Sequence, residues 1–157
     1  MSIPEYTLGF MFNATMTEVL LCRKSKPAWQ AGKLNGIGGK IDGDETPEAA
    51  MIREFKEETG VYTSLWEHFA TLRREHTDSR FIVHCFRSML QISSLHELDF
   101  TAELDQPLVI MPVKSMSVDY ANELLSNITW LVHMAADNAQ HDGAPYTLDA
   151  RIGVAHD

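Results

Sequence analysis

Residues 39–61 read GKIDGDETPEAAMIREFKEETGV. Thr46 suits a helix N-cap, Pro47 the first helical position and Gly60 the residue just past the end, so a helix is expected over 47–59. Three carboxylates, Glu54, Glu57 and Glu58, fall within five residues of that helix, beside Arg53. Like charges three and four apart on a helix repel, at a cost of about 0.2–0.5 kcal/mol per pair. Keeping the three together implies something positive between them, and a divalent metal is the first candidate.

At about 100° per residue, Arg53, Glu54, Glu57 and Glu58 share an arc of about 140°, whereas Ala49, Met51, Ile52, Phe55 and Thr59 lie on the other side. An acidic arc alone is commonly a solvated helix face. The neighbouring residues argue for more. Gly36, Gly38 and Gly39 let backbone approach a ligand closely or take positive φ, and Glu45 stands just before the helix. A helix N-terminus welcomes phosphate. Clustered carboxylates suit hard cations such as Mg²⁺ or Mn²⁺, and Mg²⁺ typically keeps several waters and takes one or two carboxylates plus substrate phosphates. The residues therefore point to a metal-dependent phosphoryl site, without naming the bond that is broken.

The rest of the chain bounds this reading. Its 157 residues are expected to form a single domain, 1–157, with 141–157 as a weakly patterned C-terminal extension. No apolar run approaches the roughly 18–20 residues that span a bilayer. The opening MSIPEYTLGF has neither the basic start nor the apolar core of a secretory signal, so the expected location is cytoplasmic. Cys22 and Cys85 sit in apolar runs without metal-type spacing and read as buried, reduced thiols. A formal net charge of −9 argues against a broad nucleic-acid surface. A small phosphate substrate stays compatible, because a metal in the carboxylate cluster reverses the local charge.

Residues 6–13 and 18–23 are apolar or β-branched enough for two strands, joined by a turn at 14–17. Residues 25–33 form a polar loop and 35–40 a glycine-rich turn. Two further strands are expected at 66–75 and 80–90, then a polar connection at 91–106 and a short apolar strand at 107–113. Residues 119–137 have helical spacing, with Leu124, Ile128, Leu131, Val132 and Ala135 as the apolar stripe, and 144–152 fits an edge strand. This mixed order predicts an α/β domain with a mixed sheet. His68, His76 and His84 recur every eight residues but read as ordinary surface or core histidines.

The quoted stretch resembles the signature of the Nudix hydrolases: G, five residues, E, seven residues, then R-E-apolar-X-E-E-X-G-apolar. Gly39, Glu45, Arg53, Glu54, Phe55, Glu57, Glu58, Gly60 and Val61 meet every specified position. The resemblance implies a Nudix α/β/α sandwich, with a mixed sheet packed between helices, and hydrolysis of a nucleoside diphosphate linked to another group. It implies that Glu54, Glu57 and Glu58 hold Mg²⁺ or Mn²⁺, with the Gly38 carbonyl as a further ligand. Glu57 or Glu54 would orient or deprotonate the attacking water. Arg53 would hold a helix glutamate in place, and Glu45 would anchor the loop or helix.

Outside the signature, residues 32–40, GKLNGIGGK, resemble the MutT-type oxidised-purine triphosphatases. That likeness assigns Asn35 to the base, with a turn-forming role as the competing reading. It assigns the phosphates to Arg23 or Lys24, with Gly39 and Lys40 lining the same site and Lys33 a weaker candidate. Asn127 and Trp130 would read and stack the base, although Ser126-Asn127 departs from the paired aspartates of the mammalian group. Glu103, or Asp105 less favourably, would add a metal-binding acid. The expected activity is a Mg²⁺-dependent nucleoside triphosphate pyrophosphohydrolase, acting on an oxidised or modified purine such as 8-oxo-dGTP. Its partner is a small nucleoside polyphosphate, with no polymeric nucleic acid and no membrane. The alternatives are hydrolysis of dinucleoside polyphosphates or nucleotide sugars, and a non-catalytic nucleotide-sensing module.

Overall fold

A computed structural model describes residues 2–76, 79–101, 106–116, 127–138 and 145–149. Among these, the strands are β1 (Glu5–Phe12), β2 (Glu18–Arg23), β3 (Leu34–Asn35), β4 (Glu67–His76), β5 (Ser79–Met89), β6 (Leu108–Pro112) and β7 (Tyr146–Asp149). The helices are α1 (Pro47–Thr59) and α2 (Ile128–Asn138). The strands form one sheet in the order β3-β2-β1-β5-β4-β7, with β6 pairing β2. The sheet is mixed: β1 runs parallel to β5 and β4 parallel to β7, and the remaining pairs are antiparallel.

Side-chain alternation along the strands builds two cores. Leu8, Phe10 and Phe12 of β1 join Val19 and Leu21 of β2 beneath Ile128, Leu131, Val132 and Ala135 of α2. Met11, Leu20 and Cys22 instead meet Met51 and Phe55 of α1, together with Trp66. One helix on each face of a mixed sheet is an α/β/α sandwich. Cys22 and Cys85 are free and buried, and burial pushes both thiols up to about 12. Among the described residues, no helix is long and apolar enough to cross a membrane.

The structure corrects several details of the sequence reading. Residues 35–40, read as a turn, lie along the first half of β1, with bridges from Ile37 to Gly9 and from Lys40 to Tyr6. Glycine makes this approach possible, because a Cβ on Gly38 would stand 2.0 Å from the Thr7 carbonyl oxygen. Ala49, expected on the apolar side of α1, is exposed, and Ala50 is buried in its place. The helix therefore sits rotated towards its acidic arc. Within the expected edge strand, Tyr146–Asp149 is β7, and residues 144 and 150–152 lie outside the described residues. The expected helical residues 119–126 lie outside the described residues, as do Glu103 and Asp105.

Candidate active site

The helix that carries the glutamates is held at both ends by its own sequence. The Ala49 amide donates to Thr46 Oγ1 at 3.1 Å, and Gly60, at φ 76°, donates its amide to the Lys56 carbonyl. Met51, Phe55 and Thr59 are buried, and Phe55 meets Trp66 edge-on with ring centroids 5.0 Å apart. Gly9 on β1 admits Met51, since a Cβ there would stand 2.5 Å from the Met51 methyl.

Seating through Ala50 and Met51 turns two of the three glutamates inward, because both lie between those residues on the helical wheel. The Glu54 side chain is 15% exposed and that of Glu57 is 59% exposed. Glu54 packs against Gly39, where a Cβ would fall 2.5 Å from the carboxylate carbon. Glu58 is partly buried, and its Oε2 has neither solvent contact nor a hydrogen-bond partner.

Arg53 organises the acids around it. Its Nε and one terminal nitrogen donate to the two oxygens of Glu45, at 2.6 and 3.0 Å. The other terminal nitrogen donates to Glu54 at 2.8 Å and to Glu57 at 3.3 Å, and the Lys40 carbonyl accepts a further bond at 3.2 Å. Hydrogen bonds from Arg53 and from the Asp42 amide hold the Glu45 carboxyl down to about 2. The hydrogen bond to Glu45 is the main reason the Arg53 guanidinium is held above its ordinary value.

The inward glutamates shift the other way. Burial pushes Glu54 up, more strongly than the hydrogen bond and charge of Arg53 pull it down. Burial pushes Glu58 up to about 7, against the charge of Lys24 and the amide of Gly38 and with the help of Glu54's charge. Two carboxylates are thus desolvated side by side, one with an oxygen that nothing in the protein satisfies. A buried unpaired charge is costly, and a hard cation relieves it. These residues fit a divalent metal. Among the described residues, no three His, Cys, Asp or Glu side chains already form a metal cage, and Arg53 holds Glu54 and Glu57 in the meantime. Mg²⁺ requires no such cage, since one or two carboxylates with waters and phosphates commonly suffice.

Lys24 lies close enough to Glu58 for its charge to act there. Arg23 belongs to the opposite face of β2, opposite the buried Leu34, and donates to the Gly32 carbonyl at 2.8 Å. Asn35, the last residue of β3, accepts a bond from the Gly36 amide at 2.8 Å, so its side-chain carbonyl is held locally and its NH₂ group is the part left to a ligand. The Lys40 side chain is exposed. Asn127 precedes α2, and its carbonyl accepts from the Leu131 amide at 3.1 Å. Trp130, in the first turn of α2, is 41% exposed. His68 is paired with Thr71 at 2.9 Å and His84 with Glu5 at 2.6 Å, which are structural partners.

One residue escaped the sequence reading. Trp29 is 72% exposed in a one-turn helix, Ala28–Gln30, on the loop that also carries Lys24, Lys26 and Lys33. A tryptophan among lysines in a polar loop was a visible signal, because a solvated aromatic there has a face to offer a planar ligand.

Comparison with known proteins bears on the family and the fold. Residues 5–129 match the family model described as NUDIX domain. Over 74 residues the chain is 39% identical to the 8-oxo-dGTP diphosphatase of Escherichia coli (strain K12), covering 47% of this chain and 57% of that protein. Over 58 residues it is 34% identical to the CTP pyrophosphohydrolase of the same organism, covering 37% of this chain and 43% of that protein. The chain thus spans about half the length of the curated relatives it matches. Its fold is similar to the NUDIX domain of Shewanella oneidensis NrtR, solved in complex with ADP ribose. The TM-score is 0.70 at 17% identity, over 88% of this chain and 90% of that one. With the domain matched across most of its residues and the mixed sheet between helices in place, the chain belongs to the NUDIX domain family.

Proposed function

We propose that the protein is a metal-dependent pyrophosphohydrolase of nucleoside triphosphates, converting a triphosphate and water to a monophosphate and pyrophosphate. The observation that carries this reading is the desolvated pair Glu54 and Glu58, with the Glu58 oxygen unpartnered beside the charge of Lys24. Two of the curated relatives, named as an 8-oxo-dGTP diphosphatase and a CTP pyrophosphohydrolase, support the reaction class.

Glu54, Glu57 and Glu58 would hold Mg²⁺ or Mn²⁺, joined by the Gly38 carbonyl and by Glu103. When bound, such an ion supplies charge neutralisation at phosphate oxygens and a more acidic water. Arg53 acts through Glu54, fixing its carboxylate against Gly39 while Glu45 anchors the other edge of the guanidinium. Glu57 is held by Arg53 through one 3.3 Å bond. Its exposure suits it to take the proton of the attacking water as the bond to the leaving pyrophosphate breaks. Lys24 receives phosphate charge on the same side, and Gly39 and Lys40 frame the polyphosphate path, whereas Arg23 lies on the other face of β2. Asn35 and Asn127 offer amides to a base edge, while Trp130 and Trp29 offer ring faces.

The test compares Mg²⁺ with an EDTA control, reading pyrophosphate release from normal triphosphates and 8-oxo-dGTP, and nucleoside monophosphate release from diadenosine polyphosphates and ADP-ribose. Turnover of a triphosphate that disappears with EDTA is expected. Turnover confined to diadenosine polyphosphates or ADP-ribose would replace the substrate assignment. Saturable nucleotide binding without turnover of any compound would make the chain a sensor.

A further inference from the structure

At the far end of the sheet from the glutamates lies a cleft of about 340 Å³. Its apolar walls are Phe12, Met16, Leu65 and Met89. Gly39 pairs with Thr7, whereas the cleft begins at Phe12, five residues further along β1. At about 3.3 Å per residue that separation is about 17 Å along β1, and Trp66, which also lines the cleft, packs against Phe55 of α1 on its other side.

Arg87 and Ser88 line the same cleft. The Arg87 side chain is only 8% exposed, yet its carboxylate partner, Glu67, is 69% exposed. One nitrogen of Arg87 is committed to the Ala135 carbonyl at 2.8 Å, near the end of α2. On the other edge of the guanidinium, Nε donates to one Glu67 oxygen at 3.2 Å, and the second terminal nitrogen forms an ion pair with the other oxygen at 2.9 Å. That fork is the shape that recognises a carboxylate from any source. The Ser88 hydroxyl is buried as well and has no hydrogen-bond partner. A buried cation in an apolar cleft, stoppered by a side chain that is mostly in water, is built to exchange its counter-ion. Glu67 reaches the buried guanidinium with a side chain that stays mostly in water, so an incoming carboxylate that also buries an apolar body gains what Glu67 cannot.

We propose that this cleft binds a small carboxylate with an apolar body, the ligand's carboxylate replacing that of Glu67 on Arg87 while its body lies against Phe12, Met16, Leu65 and Met89. This inference is independent of the phosphohydrolase reading.

Thermal melts with benzoate and hexanoate, against chloride at equal ionic strength and against benzyl alcohol, test it. Saturable stabilisation by the two carboxylates is expected, beyond either control. Glu67→Gln keeps the side-chain shape but removes the competing charge. It should lower the half-saturating benzoate concentration about two- to fivefold, the factor an exposed ion pair implies. Arg87→Met should abolish the effect. Should that variant not fold, NMR of the wild-type chain serves instead, with benzoate shifting the Arg87 Nε–H and the Met89 amide first. Stabilisation no greater than chloride, an equal response to benzyl alcohol, retention in Arg87→Met, or NMR shifts confined to the glutamate site would each overturn the proposal.

Discussion

Glu18 and Glu58 are both partly buried carboxylates, and the protein treats them oppositely. Glu18 accepts two contacts from the Ser94 hydroxyl, at 2.9 and 3.1 Å, and one from the Leu95 amide at 2.7 Å. It pins the 91–106 connection to the start of β2, and its oxygens are satisfied from within. Glu58 has an oxygen that is buried and unpartnered, in the company of Glu54. A carboxylate kept for structure is fully bonded, whereas one kept for chemistry is left wanting a ligand. Arg53 shows the boundary between the two, saturating Glu45 while holding Glu57 by a single longer bond.

The largest consequence falls on Glu58. Glu58→Gln removes the charge that a cation would satisfy, so turnover should fall at least about 100-fold, beyond the usual effect of disturbing a metal's outer shell. The metal-free variant should melt no lower than the wild type, because the desolvated charge has gone. A variant that lost stability in step with activity would put Glu58 in the same class as Glu18. The reverse holds for Glu18→Gln, for which urea unfolding should show a loss of about 1–3 kcal/mol, from weakened partners at a buried acceptor. Its kcat should be unchanged.

That contrast was only half legible in the sequence. The limits of α1 could be read because Thr46, Pro47 and Gly60 punctuate it, and the first two strands because residues 6–13 and 18–23 are rich in apolar and β-branched side chains. The run from 35 to 40 could not be read as strand-like, because glycines carry no side chain to alternate. The three glutamates stood out by type, but their burial did not. The helical wheel sets the acidic arc away from the apolar side, and only the seating of Ala50, rather than Ala49, turns Glu54 and Glu58 inward. Glu18 drew no notice at all, since its partners lie about 76 residues away in the chain. Trp29 sits in a polar loop without periodicity, where its one sequence signal is its aromatic character among lysines.

A smaller effect is expected at Trp29. Trp29→Ala should raise KM by up to about tenfold, within the roughly 1–3 kcal/mol that one base–aromatic stack contributes, with kcat and melting temperature nearly unchanged. Equal kinetics in the variant would leave Trp29 as a solvated loop residue and the base to Trp130.

The gentlest test is pH. Glu58 is raised from 4.5 to about 7, so its neutral form contributes stability that is complete below 4.5 and is lost as pH rises through about 7. Metal-free protein should therefore melt progressively lower from about pH 5 to about pH 8, and Mg²⁺ should restore the loss at the upper end. Glu45 has the opposite sign. It is lowered from 4.5 to about 2, so its contribution is present above 4.5 and is lost as pH falls towards 2. Glu45→Gln should flatten only the acid limb of the melting curve, and Glu58→Gln only the neutral one. Exchanged limbs would reverse the roles given to the two residues.

Mn²⁺ titration followed by electron paramagnetic resonance, on wild-type protein and on Glu58→Gln, asks whether the unpartnered carboxylate is a cation seat. Saturable binding by the wild type, weakened at least about tenfold in Glu58→Gln, is the expected result. Equal affinity in the two proteins would contradict it.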